Sequence, residues 1–308
     1  MKKLLLFSLF AFAILSGKVT TACTEPIDLS NSGMDPMLVI TCILTDTTEF
    51  GRNIVNENEV FIGRTVDYFG QWQNVGITGA KVWLDSEPLT FRGSGFYRPQ
   101  EGFTVVPGKT YTLEVQYDFD NDGVDEIYTA TTTVPPKYKL DSISLAPLSF
   151  TSDYLALMMM YFNDSLGHKY FGAKLNNEND ERFYSSRILR YACFELNDFT
   201  AGGIYRSIPL SSFEFYIRHE MNYDNKEFYR IYAGDSLMVQ LEALSSEYYH
   251  YLEVAKTELS HNNPLFSAPR TNVPTNIKGG ALGVFGSYTF SRAYVQVPKN
   301  TPGLPKRP

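Results

Sequence analysis

Three cysteines in 308 residues are too few for a scaffold held by disulfides. Four histidines, His168, His219, His250 and His261, offer neither HExxH nor a paired zinc spacing. No GxSxG nucleophile elbow is present. The glycine run from Gly279 to Gly286 lacks the Lys-Ser/Thr pair of a phosphate loop, and its context reads as strand and turn. A structural glycine turn is the reading there. Basic charge is short as well, with 27 basic against 34 acidic residues. That balance argues against a nucleic-acid partner and against electrostatic docking to anionic lipid. Paired carboxylates are so abundant in an acidic chain that counting them decides nothing about a glycosidase.

Long apolar runs are missing beyond the start of the chain. Lys2 and Lys3 precede an apolar run from Leu4 to Leu15, and Thr20-Thr21-Ala22 leads into Cys23. A basic start, an apolar stretch and small residues before a cut make an export signal over residues 1–22. Cys23, directly after the cut, is the position that bacterial lipoprotein processing acylates. Thr20 stands where that pattern prefers an aliphatic residue, and Lys18 intrudes before the cut, so plain secretion after Ala22 stays open as the alternative. The run is shorter than the ~17–25 residues of a membrane span. Removal of residues 1–22 takes 27 basic residues to 24 against 34 acidic, a formal charge of −10.

Residues 23–35 then read as a lipid-bearing end and a polar tether. A chain of this length suggests two domains at ~100–200 residues each. Strand patterns fall at 37–46, 60–66, 80–84, 95–98, 111–117 and 127–134, and Pro135-Pro136 closes the set. Residues 36–136 therefore predict an immunoglobulin-like β-sandwich. A second β-rich domain over 137–298 has strand patterns at 142–145, 154–162, 170–175, 188–194, 213–217, 237–243, 281–285 and 288–297. One helix is expected near 246–259, capped by Ser245 or Ser246, with Tyr248, Tyr251, Leu252 and Ala255 on its packing stripe. Residues 299–308 read as a disordered tail. The fold class is thus mainly β with one helix. Cys42 and Cys193 sit in separate apolar strand patterns and read as two buried thiols, with a bridge as the alternative. The Met158-Met159-Met160 triplet reads as core filling.

The strongest chemical pattern is the loop between 111–117 and 127–134. It runs Asp118-Phe119-Asp120-Asn121-Asp122-Gly123-Val124-Asp125-Glu126. Asp118, Asp120, Asp122 and Glu126 supply carboxylates at positions one, three, five and nine, and Val124 a carbonyl at seven. Such a set suits structural calcium, which takes ~6–8 oxygen ligands, and glycine at six permits the sharp turn. An ordinary acidic hairpin turn uses the same residue types, so both readings stand. Thr129 occupies the place of the bidentate glutamate of an EF-hand, which excludes that motif. Trp72 and Trp83 are candidate sugar-stacking or interface rings, although a strand tryptophan such as Trp83 is more often core.

Several motifs carry a resemblance. They are Thr78-Gly79-Ala80-Lys81-Val82, Gly95-Phe96-Tyr97-Arg98, Val106-Pro107-Gly108-Lys109-Thr110-Tyr111-Thr112-Leu113 and the run from Tyr128 to Pro135. Later come Leu244 to Leu252, Asn263-Pro264-Leu265-Phe266, Asn276-Ile277-Lys278-Gly279-Gly280 and Gly283-Val284-Phe285-Gly286. Across nearly the whole mature chain these are similar to the Bacteroidetes-type lipoprotein family catalogued as domain of unknown function 4249. The resemblance implies an exported lipoprotein encoded beside a TonB-dependent outer-membrane receptor, and it supplies no catalytic residues. The acidic loop is longer than the family's usual hairpin, so calcium rests on this chain alone. The expected function is a non-enzymatic, lipid-anchored outer-membrane accessory of a TonB-dependent receptor in nutrient capture. A surface adhesin or glycan-binding module is the alternative, and an exported hydrolase a third reading.

Overall fold

Period-two burial sets the strands. In Thr110–Tyr117 the side chains of Tyr111, Leu113 and Val115 are buried while Thr110 and Thr112 face solvent, because a pleated backbone sends successive side chains to opposite faces. Its partner Glu126–Thr133 buries Tyr128, Ala130 and Thr132. The computed structural model describes residues 36–46, 58–66, 76–147, 155–162, 167–177, 190–195, 205–209, 233–260 and 273–300. Cys23, Trp72, His219, His261, Asn263 to Phe266 and the strand expected at 213–217 lie outside them.

The strands are β1 (Leu38–Thr45), β2 (Val60–Arg64), β3 (Lys81–Leu84), β4 (Glu87–Pro88), β5 (Thr90–Gly93), β6 (Phe96–Arg98), β7 (Thr110–Tyr117) and β8 (Glu126–Thr133). They continue with β9 (Leu140–Pro147), β10 (Leu155–Phe162), β11 (Tyr170–Asn177), β12 (Arg190–Glu195), β13 (Tyr205–Pro209), β14 (Ser236–Leu244) and β15 (Leu282–Gln296), with helix α1 (Ser246–Ser260) between the last two. The protein is mainly β, and the described strands form three sheets. Eight strands run β12-β11-β14-β15-β1-β2-β6-β5, four run β4-β3-β7-β8, and three run β13-β10-β9.

The eight-stranded sheet crosses the division expected at Pro136. It takes β1, β2, β5 and β6 from before that residue and β11, β12, β14 and β15 from after it. The described residues from 37 to 65 and from 76 to 300 fall in one compact unit. The two centres of the large sheet meet at β1 and β15, which pair in parallel from Val39↔Leu282 to Thr45↔Tyr288. One core, including Ile40, Leu44, Ile62, Tyr97, Leu113, Val115 and Phe285, joins the first half of the large sheet to the four-stranded sheet. A second, with Phe162, Phe171, Val239 and Leu241, joins its other half to the three-stranded sheet. This is sandwich-like layering. The Tyr111 hydroxyl accepts from Val106 N–H at 3.0 Å. That is the back-bond of a tyrosine corner, a mark of immunoglobulin-like sandwiches.

Two strands expected at 281–285 and 288–297 are one continuous strand, β15. The Gly286-Ser287 pair that resembles a break is instead a docking point. A Cβ on Gly286 would lie 2.6 Å from that of Tyr248, so the missing side chain lets α1 approach. Ser245 ties the helix start to the same place. Its N–H donates to Ser287 O at 2.8 Å, and its Oγ accepts from Ser287 N–H at 3.1 Å and from Tyr248 N–H at 3.4 Å. The buried helix face differs from the expected stripe, because Tyr249 and Leu252 point inward with Tyr248 beside them. Tyr249 stacks on Tyr170 at 4.8 Å between ring centroids.

Burial, and then the acidic neighbour Glu253, push the Tyr249 phenol up to about 12. A raised phenol binds its proton more tightly in the folded chain, so stability is whole below pH 10 and falls as pH rises from 10 to about 12. Urea midpoints measured at pH 9 and pH 11 should therefore drop, and Tyr249→Phe should drop less. Equal losses would refute the assignment.

Candidate functional site

The acidic hairpin is built by register. β7 and β8 pair from Thr110↔Thr133 to Tyr117↔Glu126, which leaves Asp118 to Asp125 to make the reversal. Asn121 and Gly123 take left-handed backbone, at φ 62° and 93°. Both residue types accept that region at low cost. The carboxylates then turn inward onto backbone donors. Asp118 accepts from Asp122 N–H at 3.1 Å and from Gly123 N–H at 2.9 Å. Asp120 also accepts from Asp122 N–H at 3.1 Å, Asp122 from Val124 N–H at 2.8 Å, and Glu126 from Phe119 N–H at 2.8 Å.

These bonds orient the side chains as well as closing the turn. One carboxylate oxygen from each of Asp118, Asp120, Asp122 and Glu126 lies within 4.8 Å of the others. Four hard oxygen donors on a small loop are part of the ~6–8 oxygen set that a calcium ion takes. Asp125 points away and pairs with Lys81 Nζ at 2.6 Å, which leaves four carboxylates in the cluster. Val124, expected to lend its carbonyl, has an exposed side chain. Behind the loop, burial raises the Tyr128 phenol, and the Glu126 and Asp120 charges add to that rise.

The other candidates are occupied by the fold. His168 sets Nε2 2.9 Å from Leu244 O and packs on Tyr138 and Phe171. His250 lies edge-on to Tyr170 and Tyr249. Cys42 and Cys193 are free thiols, the first buried and the second half-buried, and burial pushes the Cys42 thiol up. Of the methionine triplet, Met160 fills core; the side chains of Met158 and Met159 lie outside the described residues. Trp83 departs from its expectation of burial. It is half-buried on the outer face of β3, while Val82 and Leu84 point to the core.

The glycine-rich stretch is structural. Lys278 exchanges backbone bonds with Thr129 at 2.8 and 3.2 Å, linking the edge of β8 to the run into β15. Asn276 completes that link by imitating a strand residue. Its Oδ1 accepts from Phe285 N–H at 2.9 Å, and its Nδ2 donates to Phe285 O at 2.8 Å and to Thr131 O at 3.3 Å. Sequence reasoning missed this role, though an Asn just before a glycine-rich strand entry is a usable signal. It also missed Lys174, Gln240, Glu242 and Arg292, which form a connected polar row on the large sheet.

Comparison with protein families settles the kinship. A family model described as a domain of unknown function (DUF4249) matches residues 24–293. The chain belongs to that family. A search of curated proteins finds no match. The matched stretch spans β1 through most of β15, so membership covers both halves of the large sheet.

Asn276→Ala should cost about 1–3 kcal/mol, because it leaves the Phe285 N–H without its partner. Asn276→Asp, which keeps the acceptor and loses the donor, should fall between. Urea unfolding of the three proteins tests this ranking, and an unchanged Asn276→Ala midpoint would remove the strand-mimic role.

Proposed function

We propose that the protein is a non-enzymatic lipoprotein of the outer membrane, held through Cys23, that assists a TonB-dependent receptor in capturing or admitting a nutrient. The start of the family match carries this reading. It begins at residue 24, directly after Cys23, and leaves the basic start and apolar run outside. That is the arrangement of a leader removed ahead of an acylated cysteine. An acyl chain contributes about 0.8 kcal/mol per buried CH₂, so an acidic protein needs no basic surface to stay on a bilayer. The many polar side chains held by backbone partners, among them Asn276, Ser245 and His168, suit a scaffold that presents surfaces.

Metabolic labelling with a fatty-acid analogue should tag the wild type and leave Cys23→Ala untagged. Affinity purification from detergent-solubilised outer membrane should recover a receptor with it. An untagged wild type removes the anchor, and recovery of the protein alone removes the receptor.

The convergence of four carboxylates favours a second, compatible reading. We infer that the β7–β8 loop holds Ca²⁺ through Asp118, Asp120, Asp122 and Glu126, with the Val124 carbonyl as a further ligand, and that the ion stiffens the hairpin. Extracellular modules of this kind work near ~10⁻⁴–10⁻³ M. Calorimetry with millimolar Ca²⁺ should show binding heat that Asp120→Ala lacks. Identical traces from the two proteins would leave a plain acidic turn.

A further inference from the structure

One face of the large sheet changes character along its length. Near α1 it is aromatic, with Tyr170, Leu244 and Tyr288 packed under the helix. Farther along, the register of β11, β14 and β15 sets Gly172, Glu242 and Phe290 side by side, then Lys174, Gln240 and Arg292, and then Met238 beside Tyr294. Glu242 is 1% exposed and Gln240 5%. These buried groups satisfy one another in a chain. Lys174 Nζ pairs with Glu242 at 2.7 Å. Gln240 donates Nε2–H to Glu242 at 2.6 Å and accepts Arg292 Nε–H on Oε1 at 2.8 Å.

The consequence falls on Arg292. Its guanidinium carbon lies 4.9 Å from the Phe290 ring centroid, and Gln240 holds its Nε edge. Ring and amide together fix the plane of the fork. Its two Nη groups make no hydrogen bond or ion pair with a described residue. Among the described residues Lys174 pairs with Glu242, while Arg292 has an amide and a ring beside it and no carboxylate, and it is positive on a chain of net charge −7. Two residues along the same face, Tyr294 is 62% exposed.

We propose that Arg292 and Tyr294 form a binding site for a carboxylate carried on a six-membered ring. The planar fork takes the two carboxylate oxygens through paired N–H donors, and Tyr294 offers its face to the ring. Assignment of that ring to a uronic-acid unit of an acidic sugar rests on the nutrient-capture reading above. The carboxylate does not.

Calorimetry on the purified full chain tests this with trigalacturonate, neutral maltotriose and benzoate. Trigalacturonate should bind and maltotriose should not, and added salt should weaken the binding. Arg292→Lys keeps the charge and loses the fork, and should weaken affinity about tenfold. Tyr294→Ala, at an exposed position that leaves the core intact, should weaken it about fivefold. Benzoate binding without trigalacturonate binding would support the carboxylate site and overturn the sugar assignment. No heat from either carboxylate, or heat that both variants preserve, overturns the site. None of these measurements involves a bilayer or a receptor, so failure of the anchoring or receptor reading would show separately, in the labelling and purification.

Discussion

The parallel pairing of β1 with β15 is the contact on which the large sheet depends. β1 lies between β15 and β2, so without it the sheet would part into β12-β11-β14-β15 and β2-β6-β5. A parallel pair needs a long connection, and here nearly the whole chain lies between the two strands. The pairing is also close. A Cβ on Gly283 would meet Ile40 O at 2.0 Å, and Gly283 has φ 109°. Only glycine combines that backbone with that proximity. The centre of the fold is therefore set by a residue with no side chain, and the loop-closure cost of the longest contact is met where backbones can approach most closely.

Polar side chains finish what the ladders leave open. Asn58 does at the end of β1 what Asn276 does at the start of β15. Its Oδ1 accepts from Thr45 N–H at 2.8 Å, and its Nδ2 donates to Thr45 O at 3.4 Å. Buried backbone groups must be paired, and an asparagine amide supplies donor and acceptor at the spacing of a peptide. Ser287 works across layers instead. Its hydroxyl reaches Thr132 Oγ1 at 3.1 Å and Thr133 O at 3.2 Å, joining β15 to β8. The family motifs around residues 276–286 thus gather the joints of the fold, with backbone-mimicking amides and close-approach glycines in one short stretch.

Much of this was legible from pattern alone. Alternation located β7 and β8 within a residue or two, and serine before an aromatic run located α1 and its cap. The carboxylate loop was legible because its acidic residues are local, most of them spaced by two residues within one hairpin. What escaped has a common cause. The joining of β1 to β15 and the amide plugs are long-range, and nothing in the residues near 40 names the residues near 283. β4, β5 and β13 are short edge strands whose few residues give no period to read. The inward turn of Tyr249 escaped because two adjacent tyrosines both fit a helical stripe, and only the position of Tyr170 decides between them.

The buried row on β14 shows why alternation misleads in a central strand. Met238, Gln240 and Glu242 stand where a half-exposed strand would place its solvent face, yet every residue from Leu237 to Leu244 is buried. β14 lies between β11 and β15, and its other face meets the second core. A buried ion pair is weak evidence of stabilising intent, since apolar residues of similar volume commonly serve as well or better. Register is one thing the pair does supply, because a one-residue slip of β11 would carry Lys174 to the opposite face from Glu242. Register alone would not require Gln240 to hold Arg292, however, and a hydrophobic residue at 240 would fill the rung without that tie. The extra link is what converts a register lock into an oriented guanidinium.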